Sequence, residues 1–306
     1  MKKLWIVCIA ILLLAGTLMM FKKTMTDDVS AQCHYSIGQF KLIYLLDGTI
    51  DFPLDHIIKD STNFDHPYFH KQPGESIQVP INVFLVDTGK QVILFDTGLA
   101  GMFHSKTGQL AKSMQQAGYK PEQITAICIT HFHPDHISGL LHADGTKAFV
   151  HADLYVAKSE ADYWLNSTEH GSIVSLLQKV FASYNVQKFT PDQQLFDGIS
   201  VYASPGHTPG HVGFLCKSGN QIVLIWGDII HMPAIQFAHP GISFTDDTDS
   251  AQAILTRKAI LQQAIQQGWI IAGVHLASPG IGTITFAKDS TADQPAYQWV
   301  PISLTC

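Results

Sequence analysis

The chain has 306 residues, 46% of them apolar, a net charge of −6, and Arg257 as its only arginine. That is enough apolar material for one large core, and with no linker-like stretch, internal repeat or long like-charge block the chain reads as one globular domain behind an N-terminal leader. The acidic balance argues against a nucleic-acid partner, and a lone arginine leaves no set of guanidinium forks for phosphate capture. Negative charge developing in a reaction would have to be met by lysine, backbone donors or a metal.

The leader begins with Lys2 and Lys3, continues through the apolar run from Leu4 to Phe21 and meets Lys22 and Lys23. This is an export pattern. Residues 1–31 are expected to be a signal peptide cut after Val29-Ser30-Ala31, or an uncleaved membrane anchor through residues 4–21. The apolar run is longer than a usual signal core and near the lower limit for a membrane span, so both readings stay open. Either one places the folded domain, residues 32–306, in the periplasm or another extracytoplasmic space. Cys128 and Cys216 lie in apolar runs and read as small buried hydrophobes. Cys33 and Cys306 bracket the domain and would pair in an oxidising compartment if the two ends meet.

Phe40 to Leu46, Ile81 to Val86 and Val92 to Phe95 are β-rich runs separated by Asp-Gly and Thr-Gly turn signals, and read as neighbouring antiparallel strands. A helix is expected over Gln109 to Ala117, then strands over Ile124 to Thr130 and Ala148 to His151, then helices over Lys158 to Leu165 and Ile173 to Tyr184. Ile199 to Ala203, Val212 to Cys216 and Ile222 to Trp226 form a second meander. A helix from Ser250 to Gln267 and a strand from Trp269 to Val274 follow. Two such half-patterns predict an α/β protein, an αβ/βα sandwich of two packed mixed sheets with outer helices.

The segment Thr130-His131-Phe-His133-Pro-Asp135-His136 ends an apolar strand with four metal-capable side chains. In extended chain His131 and His133 point the same way, so both imidazoles can reach one ion; Pro134 then turns the chain and aims Asp135 and His136 elsewhere, toward a second. A lone histidine is usually an ordinary core or surface residue. Four clustered donors are too costly to bury unpaired, and imidazole with carboxylate suits zinc, manganese or iron.

A second cluster, Ser204-Pro-Gly206-His207-Thr-Pro-Gly210-His211, follows a strand and supplies one ligand. His207 is chosen because Gly206 permits close backbone approach, whereas His211 begins the next strand and reads as packed or supporting. Asp228 ends the buried strand Ile222 to Trp226 and is the natural bridge between two ions. His275, at the end of Trp269 to Val274, supplies the last ligand, and Asp96 is placed as a carboxylate orienting the site from behind.

The ordered set His131-x-His133-x-Asp135-His136, His207, Asp228 and His275 resembles the metal-site signature of the metallo-β-lactamase superfamily. Trp226-Gly-Asp-Ile-Ile-His231, Ile235-Gln236-Phe237, His275-Leu-Ala-Ser-Pro-Gly-Ile-Gly282 and Trp299-Val-Pro301 resemble its methyl parathion hydrolase and lactonase branch. The resemblance implies two divalent ions per chain, zinc first, with manganese, iron or cobalt as alternatives. His131, His133 and His207 would hold one, Asp135, His136 and His275 the other, and Asp228 both. It further implies hydrolysis by a hydroxide held between them, Asp135 and Asp228 being the catalytic carboxylates, and a pocket with Phe103 and Trp164 as aromatic walls. Phe181 reads better as a helix-core aromatic.

The expected substrate is a small neutral ester, lactone or phosphotriester, as for a lactonase, arylesterase or organophosphate hydrolase; a homodimer is left open. A strict β-lactamase is disfavoured by Asp228 standing where a cysteine is best known. A thioesterase would need a C-terminal helical region, and a non-catalytic metal-binding envelope protein would be expected to have lost some of the seven ligands.

Overall fold

The computed structural model describes residues 34–53, 76–102 and 106–305. The leader, Cys33, Phe103 and Cys306 lie outside the described residues. Residues 31–306 form one compact unit, and among the described residues no helix is long and apolar enough to cross a membrane.

The first sheet runs in the order β1 (Tyr35–Ile37), β2 (Phe40–Pro53), β3 (Ser76–Asp87), β4 (Val92–Phe95), β5 (Ala126–Cys128), β6 (Asp153–Ala157) and β7 (Val186–Phe189). Its first four strands are antiparallel and its last four parallel, β4 belonging to both runs. The change follows from the connections. Short turns join β1 to β2 and β3 to β4, while helical crossovers link the later, parallel strands. These crossovers carry α1 (Leu110–Gln116), α2 (Pro134–Ile137), α3 (Lys158–Leu165) and α4 (Gly171–Ser183).

The second sheet is mixed as well, and holds β8 (Gln194–Phe196), β9 (Ile199–Ala203), β10 (Val212–Ser218), β11 (Gln221–Ile225), β12 (Ile270–Ala272), β13 (Ile281–Phe286) and β14 (Tyr297–Pro301), side by side in chain order. Here β11 and β12 are the parallel pair. A short α5 (Pro233–Gln236) and the long α6 (Ser250–Gln267) lie between them in sequence. At the N-terminus of α6 the Asp249 side chain accepts from the Gln252 N–H at 3.0 Å, a cap worth about 1 kcal/mol. Gly268 takes the left-handed conformation that ends the helix.

Three layers of apolar contact follow. Ile43, Leu85, Leu94, Ile127 and Leu154 pack against Met114, Ala161, Trp164 and Leu177 of the helices on one outer face. Leu224 and Ile271 pack against Ile260, Leu261 and Ala264 of α6 on the other. Between the sheets, Phe214 meets Phe95 at 5.2 Å and Phe189 at 6.0 Å. With both faces covered, the inner part of β3 is buried residue after residue, so it reads as a continuous apolar run rather than an alternating one.

The expected strand over Ala148 to His151 is not formed. The backbone there turns, with the Ala148 N–H on the Leu140 carbonyl and the Phe149 N–H on the Tyr184 hydroxyl, and β6 begins at Asp153. An apolar run this short fits a strand or a buried turn equally well; pairing with β5 selects the stretch two residues further on. The expected strands Ile124 to Thr130 and Trp269 to Val274 are present but shorter, as β5 and β12. In both places the chain leaves the ladder before it reaches the histidine.

Candidate metal centre

Loops at neighbouring strand ends of the two sheets bring the seven singled-out residues together. His131 and His133 follow β5, with Asp135 and His136 on the single turn of α2. The His131 Nε2 lies 3.1 Å from the His133 Nδ1, and the His207 Nε2 lies 2.8 Å from that same atom. The Asp228 Oδ2 stands 3.6 Å from His131 Nε2 and 3.4 Å from His207 Nε2. On the other side His136 Nε2 is 3.4 Å from Asp135 Oδ2 and 3.1 Å from Asp228 Oδ1, and His275 Nε2 is 3.5 Å from Asp135 Oδ2 and 3.3 Å from Asp228 Oδ2.

Zinc–nitrogen bonds of about 2.0–2.1 Å in a tetrahedron put neighbouring donors roughly 3.3 Å apart. Both four-residue groups match that spacing, and Asp228 belongs to both. The His136 Nε2 and Asp228 Oδ1, both buried, have no hydrogen-bond partner, which suits donors aimed at a cation and would otherwise be costly. The donor set is therefore that of a divalent-metal centre.

The far side of three of the rings is held as well. His136 Nδ1 donates to Asp96 Oδ2 at 2.9 Å, His207 Nδ1 to Asp247 Oδ1 at 2.9 Å, and His275 Nδ1 to the Pro80 carbonyl at 2.9 Å. Each bond fixes the tautomer that leaves Nε2 free to coordinate. Asp96, as expected, supports the site from behind: it accepts from the Thr130 N–H and hydroxyl besides His136. It does so at φ 61°, a strained conformation for a non-glycine residue costing about 1–3 kcal/mol.

His211 lies outside both groups. Its Nδ1 donates to the Ser204 carbonyl at 3.0 Å and its Nε2 accepts from the Asp228 N–H at 3.0 Å, so it sets the direction of Asp228. Gly227 makes that contact possible, since a Cβ there would meet His211 Nε2 at 2.6 Å. The close approach that Gly206 allows is to the backbone of Ala253 on α6, not to the metal donors.

Asp247, Arg257 and His231 belong to the site and were not picked out as functional residues from the sequence. His231 Nε2 lies 3.1 Å from Asp228 Oδ2, and its ring stacks on Phe244 at 4.1 Å. The spacing Asp228-x-x-His231 was the only local hint. Asp247 sits in an irregular loop with no signal of its own.

Burial lowers His133 to about 3 and His207 to about 4, and also holds His131 well below its ordinary value. These rings are neutral and ready to coordinate. For His136 and His275 burial works in the same direction but is outweighed, first by Asp228 and then by Asp135, so both are raised. Protons therefore compete with a cation at His136 and His275 before they compete at His133 or His207. If each group holds a cation, acidification is expected to empty the Asp135–His136–His275 side first. Metal analysis after dialysis at stepped pH, on the wild type and on His275→Ala, checks the order; simultaneous loss from both sides would contradict it.

A cavity of about 570 Å³ reaches both groups. Trp164, Tyr163, Phe52 and Phe244 form apolar wall, with Asp246 and Asp247 beside them, and no lysine or arginine is among its described lining residues. Trp164 stands edge-on to His133 at 5.5 Å. Phe181 instead packs against Phe132 in the helix-side core.

A family model described as the metallo-beta-lactamase superfamily matches residues 77–274. An N-acyl homoserine lactonase from a Bacillus species is 26% identical over 175 residues, covering 50% of this chain and 66% of the lactonase. A probable metallo-hydrolase of Bacillus subtilis, YybB, is 23% identical over 186 residues, covering 58% of this chain and 76% of its own length. Among solved structures, AidC, a dizinc quorum-quenching lactonase in complex with a product, N-hexnoyl-L-homoserine, superposes with a TM-score of 0.79 at 27% identity, covering 92% of this chain and 100% of its own. The hydrolase AbOPH gives a TM-score of 0.76 at 30% identity with the same coverage.

Proposed function

The chain belongs to the metallo-β-lactamase superfamily, and from that premise we propose that it is a metal-dependent hydrolase that opens neutral lactones and cleaves neutral aryl esters outside the cytoplasm. In this reading His131, His133 and His207 hold one divalent ion, Asp135, His136 and His275 the other, and Asp228 both. Such ions, zinc by preference, lower the pKa of water toward neutrality and polarise the acyl oxygen. Lys2 and Lys3 followed by the apolar run from Leu4 to Phe21 support the location.

The observation that carries the substrate class is the cavity wall. It is aromatic on one side and acidic on the other, with no lysine or arginine among the described residues to receive an anionic group. Burial raises Asp246, and the Asp135 and Asp228 charges add to that despite His231, so the wall resists further negative charge. Among the described residues, a β-lactam carboxylate or a phosphomonoester would find no lysine or arginine there to receive it. A lactone enters neutral and leaves as a hydroxy acid, whose new carboxylate the same acidic wall helps to expel. Lactonase activity in two similar proteins supports the choice. Asp135, on the cavity wall, would pass the proton of the attacking water to the leaving alkoxide oxygen as the ring opens.

The test is a panel of acyl homoserine lactone, simple lactone, aryl ester, phosphotriester and penicillin on metal-loaded protein. Lactone and aryl-ester turnover is expected to lead, with phosphotriester weaker. Trp164→Ala, assayed at saturating metal because it also deletes the indole bond to Glu160, should lower kcat/KM for aryl substrates by roughly 10-fold to 200-fold, the range for losing one apolar pocket contact. A wild type faster on penicillin than on any lactone or ester would overturn the substrate class.

A further inference from the structure

Glu160 on α3 is 1% exposed, and the four groups that hydrogen-bond it are all neutral. Its Oε1 accepts from the Phe132 N–H at 2.9 Å and the Trp164 indole N–H at 2.6 Å; its Oε2 accepts from the Thr208 hydroxyl at 2.8 Å and the Gly210 N–H at 3.0 Å. Burial pushes its pKa up and these four bonds push back. The placement of the donors is what matters. Phe132 lies between His131 and His133, while Thr208 and Gly210 follow His207. One carboxylate thus ties together the two loops that carry the three imidazoles of one group. Through Trp164 it also orients the ring beside His133. The approach is tight: a Cβ at Gly210 would fall 2.2 Å from the Glu160 backbone nitrogen. The other group is supported elsewhere, by Asp96 and the Pro80 carbonyl.

We propose that Glu160 is a positioning residue that sets the spacing of His131, His133 and His207, and with it the metal affinity of that half of the centre alone. This rests on the reading that the two groups hold metal ions. The arrangement requires a carboxylate, because each of its oxygens must accept two bonds. A glutamine would satisfy one pair of donors with its oxygen and turn its own N–H groups on the other pair, leaving two buried donors opposed.

The experiment titrates metal-free full-length protein with zinc and cobalt, comparing wild type with Glu160→Gln and Thr208→Val. Glu160→Gln is expected to weaken one binding step about 10-fold to 100-fold, the usual effect of losing a ligand's supporting partner, and to leave the other unchanged. Repeating the titration in a His275→Ala background, where only the His131 half keeps its full complement, identifies the step that moved. Thr208→Val deletes a single bond and should shift the same step less; it decides the question if Glu160→Gln does not fold. Unchanged steps, or equal weakening of both in a chain that still melts cooperatively, would overturn the role. A wild type that takes up no ion would overturn this inference and the metal reading together, whereas normal wild-type uptake with unselective variants overturns this inference alone.

Discussion

Asp228→Ala is expected to strip the chain of both ions and of nearly all turnover. The Asp228 carboxylate, 3% exposed, lies within 3.1–3.6 Å of His131, His136, His207, His231 and His275. No other residue belongs to both four-residue groups. Its removal leaves a buried knot of imidazoles with Asp135 as the one carboxylate among the donor atoms, Asp96 and Asp247 lying behind the His136 and His207 rings. Binding two dications there would then meet far less neutralising charge. The lost metal contribution to the transition state amounts to several kcal/mol, so kcat/KM should fall on the order of 10³-fold or more. His275→Ala is the comparison, because it removes a donor from one group only and should chiefly empty that one. Metal analysis and turnover on the two variants decide the matter; Asp228→Ala protein that keeps both ions would refute the bridging role.

Arg257→Met is expected to produce the largest loss of stability of any single substitution considered. Arg257 sits on α6 at 1% exposure, its Nε on the Ile229 carbonyl at 2.8 Å and its Nη1 on the carbonyls of Ile242 at 2.7 Å and Pro240 at 3.2 Å. Its Nη2 lies 3.6 Å from Asp247 Oδ2. Asp247 in turn takes the Phe244 N–H at 2.9 Å and the His207 Nδ1 proton at 2.9 Å. The methionine fills much of the volume but leaves the Ile229 and Pro240 carbonyls without their guanidinium donor, the Ile242 carbonyl with only the Gln236 amide, and a buried carboxylate without its cation. Breaking one partner of such a pair costs about 3–5 kcal/mol, or a fall in Tm on the order of 10 °C. Arg257→Lys should recover only part, since an ammonium cannot reproduce the guanidinium fork. Denaturant unfolding measures this directly, and a wild-type midpoint in Arg257→Met would contradict it. Metal occupancy should suffer too, because the loop that holds Asp247 against His207 is the one Arg257 pins.

Much of this protein was determined by short-range pattern. The αβ/βα layering follows from β-rich runs, turn signals and helical periods, all local properties of the chain. The chemistry of His131, His133, Asp135 and His136 is equally local: a two-residue spacing in extended chain sends two imidazoles one way, and Pro134 starts the turn that sends the next pair another. Asp228 and His275 announced themselves by ending apolar strands, where a sheet delivers its side chains into the loops above it.

Only the tertiary structure decided what holds those residues. Glu160 is in the sequence just one more acid on a short surface helix, and nothing local separates it from a solvated one; it is buried because the loops after β5 and β9 close over it and bring four donors. Asp247 and Arg257 are ten residues apart on a loop and a helix, and meet only because α6 packs across the second sheet. The stretch Ala148 to His151 turns rather than extends because the Leu140 carbonyl and the Tyr184 hydroxyl, the latter distant in sequence, claim its N–H groups. Apolar periodicity records which face of an element is buried. It carries no record of which polar groups will be shut in together, and those pairings, made across long sequence separations, set the directions of the metal donors.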